Sequence, residues 1–132
     1  SIALGAKAVI PEMNPAKPAR VDPRKFIRTL IDQRVTSSFG SPAIWSVVSR
    51  YCVDRNIVLP VRKILMAGAP ISGELIKRVR KIMPEGSEIH TPYGATESLP
   101  IASMTGAEIL EDTWEKTRLG GGTCVGRPLP GI

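Results

Sequence analysis

Within Thr91-Pro92-Tyr93-Gly94-Ala95-Thr96-Glu97 an aromatic ring, a glycine, a hydroxyl and a carboxylate stand almost side by side, between an apolar run and a loop. Each group suits one part of a metal–nucleotide complex. Tyr93 offers a flat face on which a base can stack. Gly94 lets the backbone approach a ligand closely or take a positive φ. The Thr96 hydroxyl can donate to a phosphate oxygen. Glu97 carries a hard oxygen of the kind Mg²⁺ takes. Spacing alone fits equally a plain turn closed by Gly94, with Thr96 and Glu97 as a surface pair.

The elements that must position this stretch follow from periodicity. Gly5 to Ile10 is a short apolar run ended by Pro11 and reads as a strand. Residues 12–21, with Pro15 and Pro18 and no periodicity, read as a loop. Asp22-Pro23 is a helix start, a capping carboxylate followed by proline at the first helical position. Phe26, Ile27, Leu30 and Ile31 then recur on one helical face. Val35 to Phe39 reads as a strand ending at Gly40. Ser41-Pro42 opens a second helix with an apolar stripe of Ile44, Trp45, Val47, Val48, Tyr51 and Cys52. Lys63 to Ala67 reads as a buried strand ending at Gly68. Ser72 caps a third helix, with Glu74 in its first turn. In that helix Leu75, Ile76, Val79, Ile82 and Met83 point inward, while Lys77, Arg78, Arg80 and Lys81 form a solvated outer face. Ser87 to Thr91 is a further strand.

The order is β-α-β-α-β-α-β, an α/β fold with mostly parallel strands and right-handed crossovers. Ligands of open parallel sheets sit beyond the carboxyl ends of the strands. Gly68-Ala69-Pro70 and Tyr93 to Glu97 both fall there. After Glu97 the pattern weakens. Ser98 to Thr105 reads as extended, 108–118 as a short mixed segment with helical character and Trp114 as its one large apolar residue, and 123–125 as a strand. Gly120-Gly121-Gly122-Thr123 lacks the G-K-[ST] ending of a phosphate loop and reads as a turn.

A chain of 132 residues can bury a core and is one domain's worth. Its net charge of +6, from 18 basic and 12 acidic residues, is dispersed and accompanies no nucleic-acid motif, so no nucleic-acid partner is expected. There is no apolar run long enough for a membrane span. No secretion signal opens the chain. Cys52 and Cys124 are neither a C-x-x-C pair nor near a histidine, which fits reduced cytoplasmic thiols.

Three stretches together carry a resemblance. Tyr93-Gly94-Ala95-Thr96-Glu97 is similar to the Tyr-Gly-x-Thr-Glu signature of adenylate-forming enzymes, the superfamily of acyl-CoA synthetases, luciferases and peptide-synthetase adenylation domains. Met66-Ala67-Gly68-Ala69-Pro70-Ile71 resembles its Gly-Gly-Ala-Pro-Leu element, and Val125-Gly126-Arg127-Pro128 its Val-Gly-x-Pro segment. The run from Thr91 to Ala102, the proline-rich 12–21 segment and Cys-Val-Gly-Arg-Pro look most like the fatty-acyl-CoA-ligase-like branch used in olefin biosynthesis, whose members close β-hydroxy acids to β-lactones.

The resemblance implies a partial AMP-binding domain over residues 1–132, using ATP, Mg²⁺ and a fatty carboxylate, with CoA as a possible co-substrate. It implies that Gly68, Ala69 and Pro70 pack against adenine and that Tyr93 stacks on the other face. Thr96 would bond the α-phosphate, Glu97 would ligate Mg²⁺, and Gly94 and Ala95 would lie close to the acyl carboxylate and AMP. Phe39, Gly40 and Ser41 would border the acyl pocket. The missing initiator Met, the end at Pro130-Gly131-Ile132 and the absence of the family's phosphate loop, ribose-binding aspartate and C-terminal lysine give the expectation of an excised piece, inactive alone. Fatty acyl-CoA ligation is the leading expectation and lactone synthesis the named variant. A non-catalytic binding or interaction module is the alternative of another class, and a basic nucleic-acid binder ranks third. Chain length, final acceptor and oligomeric state are left open. One consequence is physical: a piece of sheet exposes faces that the remainder of its own chain would cover, so the isolated 132 residues should self-associate. Light scattering that returned a clean monomer at high concentration would count against the excised-piece expectation.

Overall fold

The computed structural model describes residues 2–95 and 97–131. Three helices begin where the sequence places a cap followed by helix-compatible residues. Helix α1 spans Pro23–Asp32, and the Asp22 carboxylate accepts the Arg24 N–H at 3.0 Å. Helix α2 spans Pro42–Asp54 behind Ser41, and helix α3 spans Gly73–Arg80 behind Ser72, whose hydroxyl accepts the Leu75 N–H at 3.2 Å. Each cap satisfies a donor that the first turn leaves open.

The sheet has five strands in the order β1 (Ser37–Gly40), β2 (Lys63–Met66), β3 (Glu88–Ala95), β4 (Ser98–Thr105) and β5 (Arg127–Pro128). β1, β2 and β3 are parallel neighbours joined through α2 and α3, as the alternation of strands and helices predicts. The chain is therefore α/β, but the sheet is mixed, because β3–β4 and β4–β5 are antiparallel.

Three strand assignments of the sequence reading are corrected. Gly5 to Ile10 forms no strand: it has no ladder partner among the described residues, and Ile10 is 92% exposed. The last strand is Arg127–Pro128 rather than residues 123–125; the backbone reverses at Gly126 before pairing begins. The strand expected at Ser87–Thr91 runs on through Ala95, so most of the motif is strand and not loop.

The core lies between the sheet and its helices. Phe26 and Trp45 meet edge to face at 5.9 Å between ring centroids, locking α1 to α2. Val48, Ile64, Met66, Ile76 and Val79 are fully buried around them. Burial pushes the Cys52 thiol up to about 11, so it packs as a small apolar group. Ile31, expected inward, is half-exposed at the end of α1. Arg78, expected outward, turns back instead: its Nε–H donates to Ser49 Oγ at 2.9 Å and a terminal N–H to Ser46 Oγ at 3.4 Å, tying α3 to α2. Desolvation lowers the Arg78 pKa, with the nearby Arg50 adding to the effect. Among the described residues no helix is long and apolar enough to cross a membrane.

The cap of α3 is a direct stability test. Replacing Ser72 with Ala should cost about 1 kcal/mol in urea denaturation, and Ser72→Thr should recover most of it. An unchanged midpoint in the alanine variant would show that another group satisfies that turn.

Candidate functional site

The parallel strands end on one side of the sheet, and the two best motifs are there for that reason. Gly40 pairs with Met66, so the β1 and β2 ends are level. β3 stays in register with β2 only to His90. Beyond it, Thr91 to Ala95 are held by β4 alone, through Thr91↔Met104, Pro92↔Ser103, Tyr93↔Ala102 and Ala95↔Ser98. Pro92 lacks a ladder donor and is tolerated in this stretch, which has a strand on one side only. The pairing slips between Tyr93 and Ala95. At the slip the chains nearly touch: a Cβ on Gly94 would lie 2.5 Å from the Ser98 carbonyl oxygen. The glycine is thus required by the hairpin itself.

After β2 the chain turns at Gly68, whose φ of +95° is left-handed backbone that disfavours a side chain. Residues 68–71 then cross the mouth of the sheet to the Ser72 cap. Between this turn and the overhanging β3 lies a cleft of about 470 Å³, within the usual range for small-molecule sites. Gly68, Ala69, Pro70 and Ile71 form one wall, and Thr91, Tyr93 and Gly94 form another. Tyr93 is 51% exposed, so its ring is available to a ligand.

A third wall was not foreseen. Residues 106–121 are helical up to a kink at Gly120, whose φ is +95°, and two wide turns of the i→i+5 kind, Ile109–Thr113 and Thr117–Gly121, interrupt the α-helical pieces. Ile109, Thr113, Trp114 and Thr117 face the cleft from this segment, and Thr123, Cys124 and Val125 close it. The signals were partial. The Val-Gly-Arg-Pro segment was recognised without assigning its preceding residues to a site, and Trp114 stood out only as a lone aromatic in a polar stretch. The glycine-rich run after it is a turn, as read, with the Thr117 hydroxyl donating to the Gly122 carbonyl at 2.8 Å.

The structure thus brings Gly68, Ala69, Pro70, Tyr93 and Gly94 together. Ala95 and Glu97 lie at the exposed hairpin tip, outside the cleft lining, and Thr96 lies outside the described residues. Phe39, Gly40 and Ser41 do not reach the cleft. Phe39 is 67% exposed, Gly40 is buried against Trp45, and Ser41 caps α2. His90 is engaged with the Glu88 carboxylate at 2.9 Å, and that bond, with Lys63 beyond it, holds Glu88 below the usual carboxylate range.

No charged side chain lines the cleft among the described residues. Its surface is backbone, aromatic ring, aliphatic carbon and hydroxyl, which suits a flat, neutral heteroaromatic group. It offers nothing to neutralise a phosphate. Nor does any cluster of three His, Cys, Asp or Glu occur among the described residues to cage a metal. Glu97 alone fits Mg²⁺ only in the mode in which one carboxylate and substrate phosphates share the ion.

Comparison with known proteins agrees with this geometry. Residues 1–132 match the family described as AMP-binding enzyme. The chain is 42% identical over 126 residues to an olefin beta-lactone synthetase of Xanthomonas campestris, covering 95% of this chain and 22% of that protein. It is 26% identical to a long-chain-fatty-acid–CoA ligase of Thermus thermophilus, over 96% of this chain and 22% of that one. Each alignment therefore spans about a fifth of the relative's length. Among solved structures, O-succinylbenzoate Coenzyme A Synthetase from Bacillus subtilis in complex with ATP and magnesium ion superposes with a TM-score of 0.60, at 19% identity, over 83% of this chain and 20% of that one. At that identity the likeness speaks for the fold.

The third wall is capped at its start by a carboxylate. The Thr105 N–H donates to Glu108 Oε2 at 2.7 Å, and the Glu108 N–H donates to Thr105 Oγ1 at 3.2 Å, a reciprocal capping box. The Thr105 backbone and hydroxyl bonds hold the Glu108 carboxyl below its ordinary 4.5. A lowered folded pKa stabilises above the unfolded value and loses that contribution as pH falls through the folded one. Acidification below about 4.5 should therefore loosen residues 106–121. Trp114 fluorescence should report this in the wild type, with a smaller acid-dependent change in Glu108→Gln. Identical acid profiles for the two would remove Glu108 as the cause.

Proposed function

This chain belongs to the AMP-binding enzyme family, and from that premise we propose that the protein carrying it activates a fatty carboxylate with ATP. A carboxylate oxygen attacks the α-phosphorus, the bond to the β-phosphate oxygen breaks, and acyl-AMP and pyrophosphate result. The observation that carries the reading is the uncharged cleft between the Gly68–Ile71 turn and Tyr93, set beside the exposed hairpin tip at Glu97.

In this reading Gly68, Ala69 and Pro70 lay backbone against one face of adenine, and Tyr93 meets the other. Thr96 donates to the α-phosphate. Gly94 and Ala95 keep the strand edge near the acyl carboxylate, and the end of β1 at Phe39, Gly40 and Ser41, outside the base cleft, borders the acyl chain through the exposed Phe39. Glu97 would hold Mg²⁺, which when bound neutralises charge between phosphate oxygens. The protein side of the work is alignment of two anionic reactants. Both cysteines are free, in keeping with a reducing, cytoplasmic setting.

The fate of the acyl-AMP separates two versions. In one, the thiol of CoA displaces AMP. In the other, the β-hydroxyl of the same acyl chain attacks the carbonyl, loses its proton and expels AMP to give a β-lactone. Identity of 42% to a beta-lactone synthetase against 26% to a CoA ligase favours the lactone version.

The test is carboxylate-dependent pyrophosphate release by the whole protein with ATP-Mg²⁺, offering fatty acids and β-hydroxy fatty acids, with and without CoA. Release should require a fatty carboxylate, and Glu97→Gln should reduce it by at least about a hundredfold, a loss of several kcal/mol of transition-state stabilisation. CoA-independent turnover specific to β-hydroxy acids supports the lactone version; CoA-dependent turnover of plain fatty acids supports the ligase. No release with any carboxylate would overturn the proposal.

A further inference from the structure

Trp114 has no part in the reaction as proposed, yet it stands on the third wall of the cleft. We propose that Trp114 is a nucleotide-specificity residue, a second aromatic wall that contacts the same planar base as Tyr93 and favours a purine over the smaller pyrimidines. The inference rests on the nucleotide reading of the cleft.

Three observations carry it. First, the indole is fixed in place. A Cβ added at Gly73 would lie 2.4 Å from Trp114 Cγ and Cδ2, so the ring rests directly on the backbone that opens α3, just beyond the Gly68–Ile71 turn. Second, the local helix is widened around this residue. The Trp114 N–H bonds to the Ile109 carbonyl five residues back, and wide turns flank Trp114–Lys116 on both sides. The irregularity brings Ile109, Thr113, Trp114 and Thr117 onto one face toward the cleft, the use that such turns commonly serve. Third, Trp114 is left partly open. Trp45, the other tryptophan, is fully buried against Phe26, whereas Trp114 packs at the margin of the core and keeps surface toward the cleft.

The chemistry of the wall agrees. With the backbone of residues 68–70 and Tyr93 on its two faces, the base meets the indole at its edge, where the larger purine reaches a wall that a pyrimidine leaves short. Thr113 and Thr117 spend their hydroxyl hydrogens on the Ile109 and Gly122 carbonyls, which leaves their oxygens as acceptors beside the indole. An amino-substituted purine is the base whose edge such a wall can both pack against and accept from.

The experiment uses the whole protein with Trp114→Ala, Trp114→Phe and Gly73→Ala. One readout is pyrophosphate release, with KM measured separately for ATP, for CTP and for the carboxylate. The other is quenching of the Trp114-dependent fluorescence, taken as wild type minus Trp114→Phe, on titration with AMP. Trp114→Ala should raise the KM for ATP about tenfold through lost apolar contact, lower the preference for ATP over CTP, and leave kcat and the carboxylate KM within about twofold. Trp114→Phe should lie between. Gly73→Ala keeps the indole but displaces it, so it should raise the KM for ATP in the same direction. AMP should quench the wild-type difference signal. If Trp114→Ala leaves the KM for ATP and the base preference unchanged, or raises all parameters alike, the residue is structural filling and the inference fails while carboxylate activation stands. If no carboxylate gives pyrophosphate but AMP still quenches Trp114, the proposed reaction fails and the base-wall role survives. Loss of both signals overturns both.

Discussion

β3 is longer than the strand it follows. It pairs with β2 for three residues and then has to continue without it, supported only by the hairpin partner β4. A strand that overhangs its parallel neighbour leaves a step at the edge of the sheet, and the turn after β2 crosses that step. The cleft is the space between the two. Its walls are therefore set by backbone pairing before any side chain is considered, which is why Gly94 and Gly68 matter. At Gly94 a Cβ would strike the Ser98 carbonyl, and at Gly68 the left-handed φ of +95° turns the chain across the step. A site built on strand ends and a capped helix start is stiffer than one built on free loops, as orientation of two reactants demands.

The same overhang separates two kinds of chemistry. The cleft lining is uncharged, while Glu97 sits in the open at the tip of the hairpin. A neutral base and a polyphosphate have opposite needs. The first gains from leaving water against aromatic and backbone surfaces. The second needs donors and a cation where solvent and a second substrate can reach. β3 lines the cleft at Thr91, Tyr93 and Gly94 and leaves it at Ala95, so one strand spans both environments. The proposed order of contacts along it, base at Tyr93 and phosphate at Thr96, follows that direction.

How much of this was legible in the sequence depended on whether the information was local. The caps at Asp22, Ser41 and Ser72 were read correctly because a cap is decided within four residues. The inward stripe of α3 was read because helical periodicity depends on the helix alone. Strand pairing is not local. Nothing near Gly5 to Ile10 told that this run would lack a partner, and nothing near Thr91 told that β4 would extend β3 through the motif. Arg78 was misjudged for the same reason: its partners, Ser46 and Ser49, lie on another helix. Motif residues of the base side were placed together from sequence, whereas 106–121 showed only helical character over 108–118 and not its place as a wall, since its turns are too irregular to leave a period.

That irregularity has a physical cost, and the structure contains the compensation. A regular helix at 106–121 would satisfy its backbone more evenly than wide turns do. The segment instead begins at a reciprocal Thr105–Glu108 box, docks Trp114 on Gly73, and closes with the Thr117–Gly122 bond. These fixings stand at its start, its middle and its end, and the contact of Trp114 with Gly73 and the Thr117–Gly122 bond tie down the irregular part. Gly106, too, packs where a Cβ would be 3.0 Å from Ile76 Cγ2, so the segment starts hard against the core. A connection that only had to join β4 to β5 could have been shorter and polar. One that is pinned along its length, with its largest side chain turned to the same cleft as Tyr93, is built to hold a wall of that cleft in place.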